Sequence, residues 1–233
     1  MAIMQKDFSK FENGIGVTWA DKGLLTQAFV HRSYINEHPT FAHGHNERLE
    51  FLGDAVLELV VTEHLYRNYP NPEGELTNWR AALVNAKMLA EISAEIGIEA
   101  NLYLSHGESK DSASKARQYI LANAIEAVIG AMYLDQGFET VRTFVNRFIL
   151  SRLPHILAHQ LYLDPKSRFQ ERAQETAGVT PIYRVISEKG PDHAKEFTVG
   201  VYLGDELVAQ GIGTSKQEAQ IDAAEKGLRA KNW

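Results

Sequence analysis

The spacing of apolar residues changes once along this chain, and that change limits the folds the chain can adopt. Up to about residue 160, apolar side chains recur every three or four positions, as in LLTQAFVHRSY, AVLELVVTEHLYRNY and YILANAIEAVIGAMYLD. This spacing places them on one face of an α-helix. Polar, glycine-containing segments such as YPNPEG and DQGFET separate the helical segments. The sequence therefore predicts an all-α first domain.

Beyond Pro154 the pattern predicts a different kind of domain. A helix is expected at about 166–177, followed by two or three strands and a last helix at about 215–230. The segment EFTVGVYL alternates apolar and polar residues as a half-buried strand does. The last helix carries alanines on one side, and such small residues suit close packing on a sheet. We therefore expect the order α-β-β-β-α and two unlike domains, residues 1–158 and 164–233.

Composition excludes several classes of protein. The chain of 233 residues has no apolar run of membrane-spanning length, and its start lacks the layout of a secretory signal. We expect a cytoplasmic protein with no membrane partner. The absence of cysteine excludes disulfides, thiolate nucleophiles and cysteine-ligated zinc. Because the net charge is −6, a polyanionic partner would have to bind a local basic patch or metal ions that cancel the acids.

Acidic residues share one stripe of the segment NERLEFLGDAVLEL at residues 46–59. On a helix, Glu47, Glu50, Asp54 and Glu58 fall within an arc of roughly 80°. Like charges at this spacing repel each other. The stripe is therefore either a solvated face or a site that holds cations, and the spacing alone leaves both interpretations open.

Glu126 stands in the apolar segment ILANAIEAVIGAMYL, where burying a lone carboxylate would be costly. Its side chain must therefore meet solvent, a cation or a basic partner. Several carboxylates around one pocket suit hard divalent cations such as Mg²⁺, which can activate water for phosphodiester hydrolysis. This pattern predicts phosphoryl transfer to water, provided that the fold brings Glu126 to the acidic stripe.

A series of sequence blocks, in a specific order, resembles bacterial ribonuclease III. HRSY, NERLEFLGDAVL, EGELTNWRAALV and ILANAIEAVIGAMYLDQGF resemble its nuclease domain. DPKSRFQERAQE, GPDHAKEFTVGVYL and GIGTSKQEAQIDAAEKGL resemble its double-stranded-RNA-binding domain. The resemblance covers nearly the whole chain. It implies an all-α endonuclease domain followed by a small α+β RNA-binding domain.

The resemblance also implies an activity and partners. The family cuts both strands of double-stranded RNA as a homodimer, with Mg²⁺ as cofactor, and we expect Mn²⁺ to substitute. The products implied are 5′-phosphate and 3′-hydroxyl ends with two-nucleotide 3′ overhangs, and the substrates are ribosomal RNA precursors and other structured RNAs. No nucleotide cofactor is expected, because the sequence has no phosphate-cradling glycine loop.

The resemblance assigns roles to the acids. The implied metal ligands are Glu50, Asp54, Asn123 and Glu126, and the implied catalytic residues are Asp54, Glu126, Glu47 and Glu73. Asn123 departs from the family pattern, which usually has an aspartate there. An asparagine still offers a carbonyl oxygen, but the site loses one negative charge. We therefore expect cleavage to require more Mg²⁺ or Mn²⁺.

RNA-binding positions are implied in the second domain. Gln170 and Gln174 stand one helical turn apart, a spacing that suits contact with the shallow RNA minor groove. His193 resembles the family's loop residue for a second minor groove. Ser215 and Lys216 stand at a helix start, where phosphates can bind. The family commonly has a second basic residue after Lys216, whereas this chain has glutamine, so weaker and less salt-dependent binding is expected.

Two alternatives remain open on the sequence. A non-catalytic RNA-binding or ribosome-associated protein could share this fold, and its expected sign is the loss of acids at several catalytic positions. Here every family position except Asn123 keeps its acid, which favours the enzyme. Phe51, beside Glu50, belongs either to the core or to a dimer contact.

Overall fold

A computed structural model describes residues 6–110, 114–191 and 195–233. The chain divides into two compact units between Tyr162 and Leu163. In its described residues the first unit is built from helices, and the second contains a sheet. The predicted fold class, a helical domain followed by an α-β-β-β-α domain, is confirmed.

The α-helices described in the first unit are α1 (Ser9–Ile15), α2 (Lys22–Ala28), α3 (Arg32–Glu37), α4 (Glu47–Asn68), α5 (Glu73–Val84), α6 (Ala86–Glu95), α7 (His106–Lys110), α8 (Lys115–Gln136), α9 (Phe138–Phe148) and α10 (Leu153–Ala158). Short 3-10 turns lie at Glu99–Asn101 and Leu150–Arg152. Helix α5 begins inside the segment expected to be a loop. Its first residue follows Pro72, whose fixed backbone angle suits the position before a helix.

Helix α8 forms the centre of the first unit. It packs against α4, α6, α2 and α9. Ala124, Ile125, Val128 and Ile129 are completely buried, because neighbouring helices cover α8 on several sides. Any polar side chain on α8 therefore lies either in a gap between helices or near the ends of α8.

Two glycines allow α4 and α8 to cross with their backbones in contact. A Cβ atom on Gly53 would lie 1.7 Å from the carbonyl oxygen of Glu126. A Cβ atom on Gly130 would lie 2.2 Å from the carbonyl oxygen of Leu49. No side chain fits at either position without moving backbone, so glycine is required at both. The acidic stripe of α4 and Glu126 of α8 flank this crossing.

The second unit consists of α11 (Pro165–Ala177), β1 (Ile182–Lys189), β2 (Glu196–Leu203), β3 (Glu206–Gly213) and α12 (Lys216–Lys231). The strands form an antiparallel sheet in the order β1-β2-β3. Phe169 of α11 and Val201 of β2 are completely buried in its core. The expected packing of alanines on the sheet is confirmed, because Ala219, Ala223 and Ala224 of α12 are completely buried.

Replacing a glycine at the crossing tests this packing. Gly53→Ala is expected to lower the free energy of unfolding by about 3 kcal/mol, because the new methyl group meets backbone rather than a movable side chain. Gly14→Ala is the control, since a Cβ there meets nothing within 4 Å. The control should raise stability by about 0.5–1 kcal/mol, the usual gain in a helix. Urea denaturation followed by circular dichroism measures the stability of both variants. Equal stabilities of Gly53→Ala and Gly14→Ala would contradict the close packing of backbones at the crossing.

Candidate active site

The helix crossing brings acids from two separate segments together. Glu50 and Asp54 of α4 lie close enough to Glu126 of α8 for their charges to change its titration. Asn123, one turn before Glu126, is hydrogen-bonded to Glu50. The structure therefore gathers the four positions that the sequence assigned to metal binding, and we call them the acidic cluster.

Glu126 is the most perturbed acid of the acidic cluster. Burial, together with the negative charges of Asp54, Glu50 and Glu58, raises the pKa of Glu126 to about 8. Both causes disfavour the charged carboxylate. Without a cation, Glu126 therefore holds a proton at neutral pH. A bound cation would reverse this preference, since it favours the ionised form.

Glu50 is subject to opposing effects. Burial is the largest and raises its pKa, and the charges of Glu47 and Asp54 act in the same direction. The hydrogen bond from Asn123 lowers it. An amide donates only through its NH₂ group, so Asn123 presents nitrogen rather than oxygen to Glu50.

The acidic cluster offers only oxygen donors, which hard divalent cations such as Mg²⁺ prefer. Within the described residues, however, no group of three or more His, Cys, Asp or Glu could hold a metal ion as it stands. Asn123 replaces one of the expected acids, and the remaining carboxylates repel one another. The donor set fits a divalent cation chemically, but its side chains must draw closer to bind one.

Glu47 lies at the rim of the acidic cluster, at the first turn of α4. Its carboxylate is 3.6 Å from Nη1 of Arg32 and 3.6 Å from Nδ1 of His45. The guanidinium of Arg32 partly offsets the negative charge of Glu47, and His45 does so only when it is protonated. Glu47 nevertheless contributes to the raised pKa of Glu50. The structure thus places this predicted catalytic acid next to the cluster and among basic side chains.

Glu73 occupies a different place. It is the first residue of α5 and lines a groove with Tyr66, Leu76 and Arg80. Its carboxylate accepts a hydrogen bond from Oγ1 of Thr77 at 3.3 Å. It is absent from the groups that shift the pKa of Glu126 or Glu50. Its catalytic role stays a prediction.

The sequence alone did not determine the environments of two residues on α4, Glu58 and Phe51. Glu58 is a member of the acidic stripe that the resemblance does not identify as a ligand, and it helps to raise the pKa of Glu126. The sequence indicates this proximity only through helical spacing, which places Glu58 one turn after Asp54 in the acidic stripe. The interpretation of Phe51 as a core residue is wrong, because its side chain is 81% exposed.

Four of the predicted RNA-binding residues lie on helices of the second unit or at the start of one. Gln170 and Gln174 are exposed on α11 and line one groove. Oγ of Ser215 accepts a hydrogen bond from the Glu218 N–H and caps α12. Nζ of Lys216 lies 3.0 Å from Oε1 of Glu188. His193, the remaining predicted contact, lies outside the described residues.

Comparison with known proteins matches both units. A family model for the Ribonuclease-III-like domain matches residues 21–153, and one for the double-stranded RNA binding motif matches residues 165–231. The chain belongs to the ribonuclease III family. It is therefore an endoribonuclease, and the ribonuclease III family is generally dependent on divalent metals. Within the described residues, none of the helices combines the length and apolar character needed to cross a membrane.

Individual relatives agree over nearly the whole chain. Ribonuclease 3 of Pelotomaculum thermopropionicum is 41% identical over 229 residues, which cover 98% of this chain and 95% of the relative. Ribonuclease 3 of Chloroflexus aurantiacus is 42% identical over 230 residues, 97% of this chain and 93% of the relative. The solved nuclease domain of ribonuclease III from Campylobacter jejuni is 37% identical, with a TM-score of 0.55. It covers 64% of this chain and 99% of its own.

The raised pKa of Glu126 predicts how the stability of the nuclease domain depends on pH. In the folded protein this pKa is about 8, against a reference value of 4.5. Between these values the folded form keeps a proton that the unfolded chain releases, so stability falls as pH rises. The slope is at most about 1.4 kcal/mol per pH unit.

Denaturation in EDTA between pH 5 and pH 8 measures this effect. The wild-type protein is expected to lose stability relative to Glu126→Gln, which mimics the protonated acid, as pH rises. Adding Mg²⁺ should restore more stability at pH 8 than at pH 6, because the ion needs the ionised carboxylate. Parallel pH profiles for the two proteins would show that Glu126 is not perturbed.

Proposed function

We propose that this ribonuclease III hydrolyses phosphodiester bonds in both strands of double-stranded RNA with Mg²⁺. The products are 5′-phosphate and 3′-hydroxyl ends with two-nucleotide 3′ overhangs, and the substrates are ribosomal RNA precursors and other structured RNAs. One observation carries the proposal: Glu50 and Asp54 of α4 lie close enough to the half-buried Glu126 of α8 to help raise its pKa to about 8. Mutually repelling carboxylates in one gap are costly unless a cation joins them.

Each residue of the acidic cluster has a separate task in this proposal. Glu50 and Glu126 are the half-buried acids and hold the ion, together with the carbonyl oxygen of Asn123. Asp54 is exposed and so can both face the ion and orient the attacking water. When bound, Mg²⁺ polarises the scissile phosphate and lowers the pKa of nearby water. Glu47 keeps the rim negative while Arg32 and His45 flank it.

A homodimer follows from the chemistry of cutting two strands. One acidic cluster can cut one strand, so a second copy related by a two-fold axis supplies the other cut. Helix α4 carries an exposed stripe on which Phe51 is 81%, Leu59 57% and Tyr66 80% exposed. Such contiguous apolar surface is typical of protein interfaces. Glu73 lines the groove beside Tyr66, so a second copy packed on this stripe would also approach Glu73.

A solved relative supports the formation of a dimer. The nuclease domain of Campylobacter jejuni ribonuclease III is described as having a region involved in dimer formation. In the present chain we assign dimer formation to the exposed stripe of α4. In the second unit, we assign Gln170 and Gln174 to the RNA minor groove and Ser215 and Lys216 to phosphates.

A cleavage assay separates this enzyme from a non-catalytic RNA-binding protein of the same fold. End-labelled long duplex RNA is incubated with the protein in Mg²⁺ and, separately, in EDTA. We expect cleavage only with Mg²⁺, and sequencing of the fragment ends should show two-nucleotide offsets between strands. Glu126→Gln should slow cleavage at least about a hundredfold while RNA binding persists. The matched control is Glu75→Gln, which removes an exposed carboxylate outside the cluster. An intact duplex in Mg²⁺ would favour the non-catalytic alternative.

The asparagine at position 123 leads to a second prediction, which concerns the Mg²⁺ concentration that cleavage requires. Asn123→Asp is expected to lower the Mg²⁺ concentration for half-maximal cleavage by roughly tenfold, because the site regains a charged ligand. Asn78→Asp adds the same charge at an exposed position of α5 and should leave the Mg²⁺ titration unchanged. Calorimetric titration of Mg²⁺ into each protein measures the affinity directly. An unaltered affinity in Asn123→Asp would show that this position does not contact the ion.

A further inference from the structure

We propose that Lys166 of the double-stranded-RNA-binding domain binds the RNA backbone, in addition to Lys216. The inference rests on the proposed binding of duplex RNA by this domain. Neither the glutamine pair on α11 nor the motif at the start of α12 contains Lys166. The assignment comes from where the folded domain places its side chain.

Lys166 extends the proposed minor-groove face of α11. At helical spacing, Lys166, Gln170 and Gln174 fall within an arc of roughly 80°. Gln170 and Gln174 are exposed and line one groove. Lys166 is the N-terminal member of this row, so an RNA that contacts both glutamines passes close to it.

The ammonium group of Lys166 reaches the start of α12. Its Nζ donates a hydrogen bond to Oε1 of Gln220 at 2.7 Å. Gln220 stands one turn after Lys216, at i and i+4 on the same helix. Nζ also lies 5.2 Å from the centre of the Tyr183 ring. Lys166 is therefore held between the α11 groove and the phosphate-binding end of α12.

The partners of Lys166 orient its charge without cancelling it. Gln220 is a neutral amide and Tyr183 a neutral aromatic ring. Within the described residues, no ion pair joins Lys166 to a carboxylate. An ammonium group has three N–H donors, so two remain for phosphate oxygens after the bond to Gln220.

Lys216 is in a different state. Its Nζ forms an ion pair with Glu188 at 3.0 Å and lies 5.7 Å from the centre of the Phe197 ring. A phosphate must compete with Glu188 for this ammonium group. Gln217 follows Lys216 where the family commonly has a second cation. Lys166, on another helix, supplies a positive charge to the surface that Gln217 leaves poorer.

The salt dependence of binding tests the proposal. The full-length chain is titrated with a duplex RNA of about 30 base pairs in EDTA, which prevents cleavage, over a series of KCl concentrations. Removing one phosphate contact reduces the slope of log K against log salt by about 0.9. Lys166→Gln should therefore flatten the slope by about that amount and raise Kd severalfold at moderate salt. Lys166→Arg keeps the charge and should keep the slope.

Lys226→Gln is the matched control for loss of charge. Lys226 lies on α12 and pairs with Asp222, roughly 80° around the helix from Lys216 in the direction away from Gln220. The Lys226→Gln variant should change neither the slope of log K against log salt nor the Kd appreciably. Thermal melting of each variant reports whether the domain still folds.

The outcomes separate this inference from the proposed function. If Lys166→Gln keeps the wild-type slope while Lys216→Ala weakens binding, Lys166 does not contact phosphate, although the domain binds RNA. If Lys166→Gln and Lys166→Arg both lose binding together with a lower melting temperature, the residue is structural and the proposal is wrong. If the wild-type chain does not bind the duplex, RNA binding itself fails, and this inference fails with it.

Discussion

The contact of two backbones at the crossing of α4 and α8 is the constraint on which the active site depends. Gly53 and Gly130 allow this contact, and a methyl group at Gly53 would lie 1.7 Å from a carbonyl oxygen. If the helices were separated by ordinary side chains, the carboxylates of Glu50 and Glu126 would stand further apart. A divalent cation binds oxygens at about 2.0–2.6 Å, so a small separation of the helices would weaken the metal binding that we propose.

The same closeness makes the acidic cluster unfavourable without a cation. Burial and neighbouring charges raise the pKa of Glu126 to about 8 and also raise that of Glu50. The packing of the core holds these groups in place, since the residues around Glu126 on α8 are buried. The fold therefore keeps an arrangement whose repulsion protons or a metal ion would relieve. This is a physical reason to expect metal binding that does not depend on the likeness to other proteins.

The sequence predicts the helices and the α-β-β-β-α order well, because apolar periodicity reflects burial directly. It identifies Glu126 as unusual, because a lone acid in an apolar helix requires an explanation. It could not show that Glu58 acts on Glu126, or that Phe51 is exposed, since both depend on which face of α4 the other helices cover. The contact of Lys166 with Gln220 was equally invisible, because the two residues are distant in sequence and meet only when α11 and α12 pack.

The resemblance to ribonuclease III implies a charged residue at the positions of Asn123 and Gln217, and this chain has an uncharged residue at both. In the nuclease domain, Asn123 donates a hydrogen bond to Glu50 and so stabilises a carboxylate that an aspartate would have repelled. In the RNA-binding domain, Lys166 lies beside α12 without an acidic partner among the described residues. Asparagine at position 123 therefore eases the repulsion between carboxylates in the metal-free site, but it leaves the site with one charged ligand fewer. On the proposal made above, Lys166 adds positive potential from a different helix and would offset part of the weakening expected from Gln217.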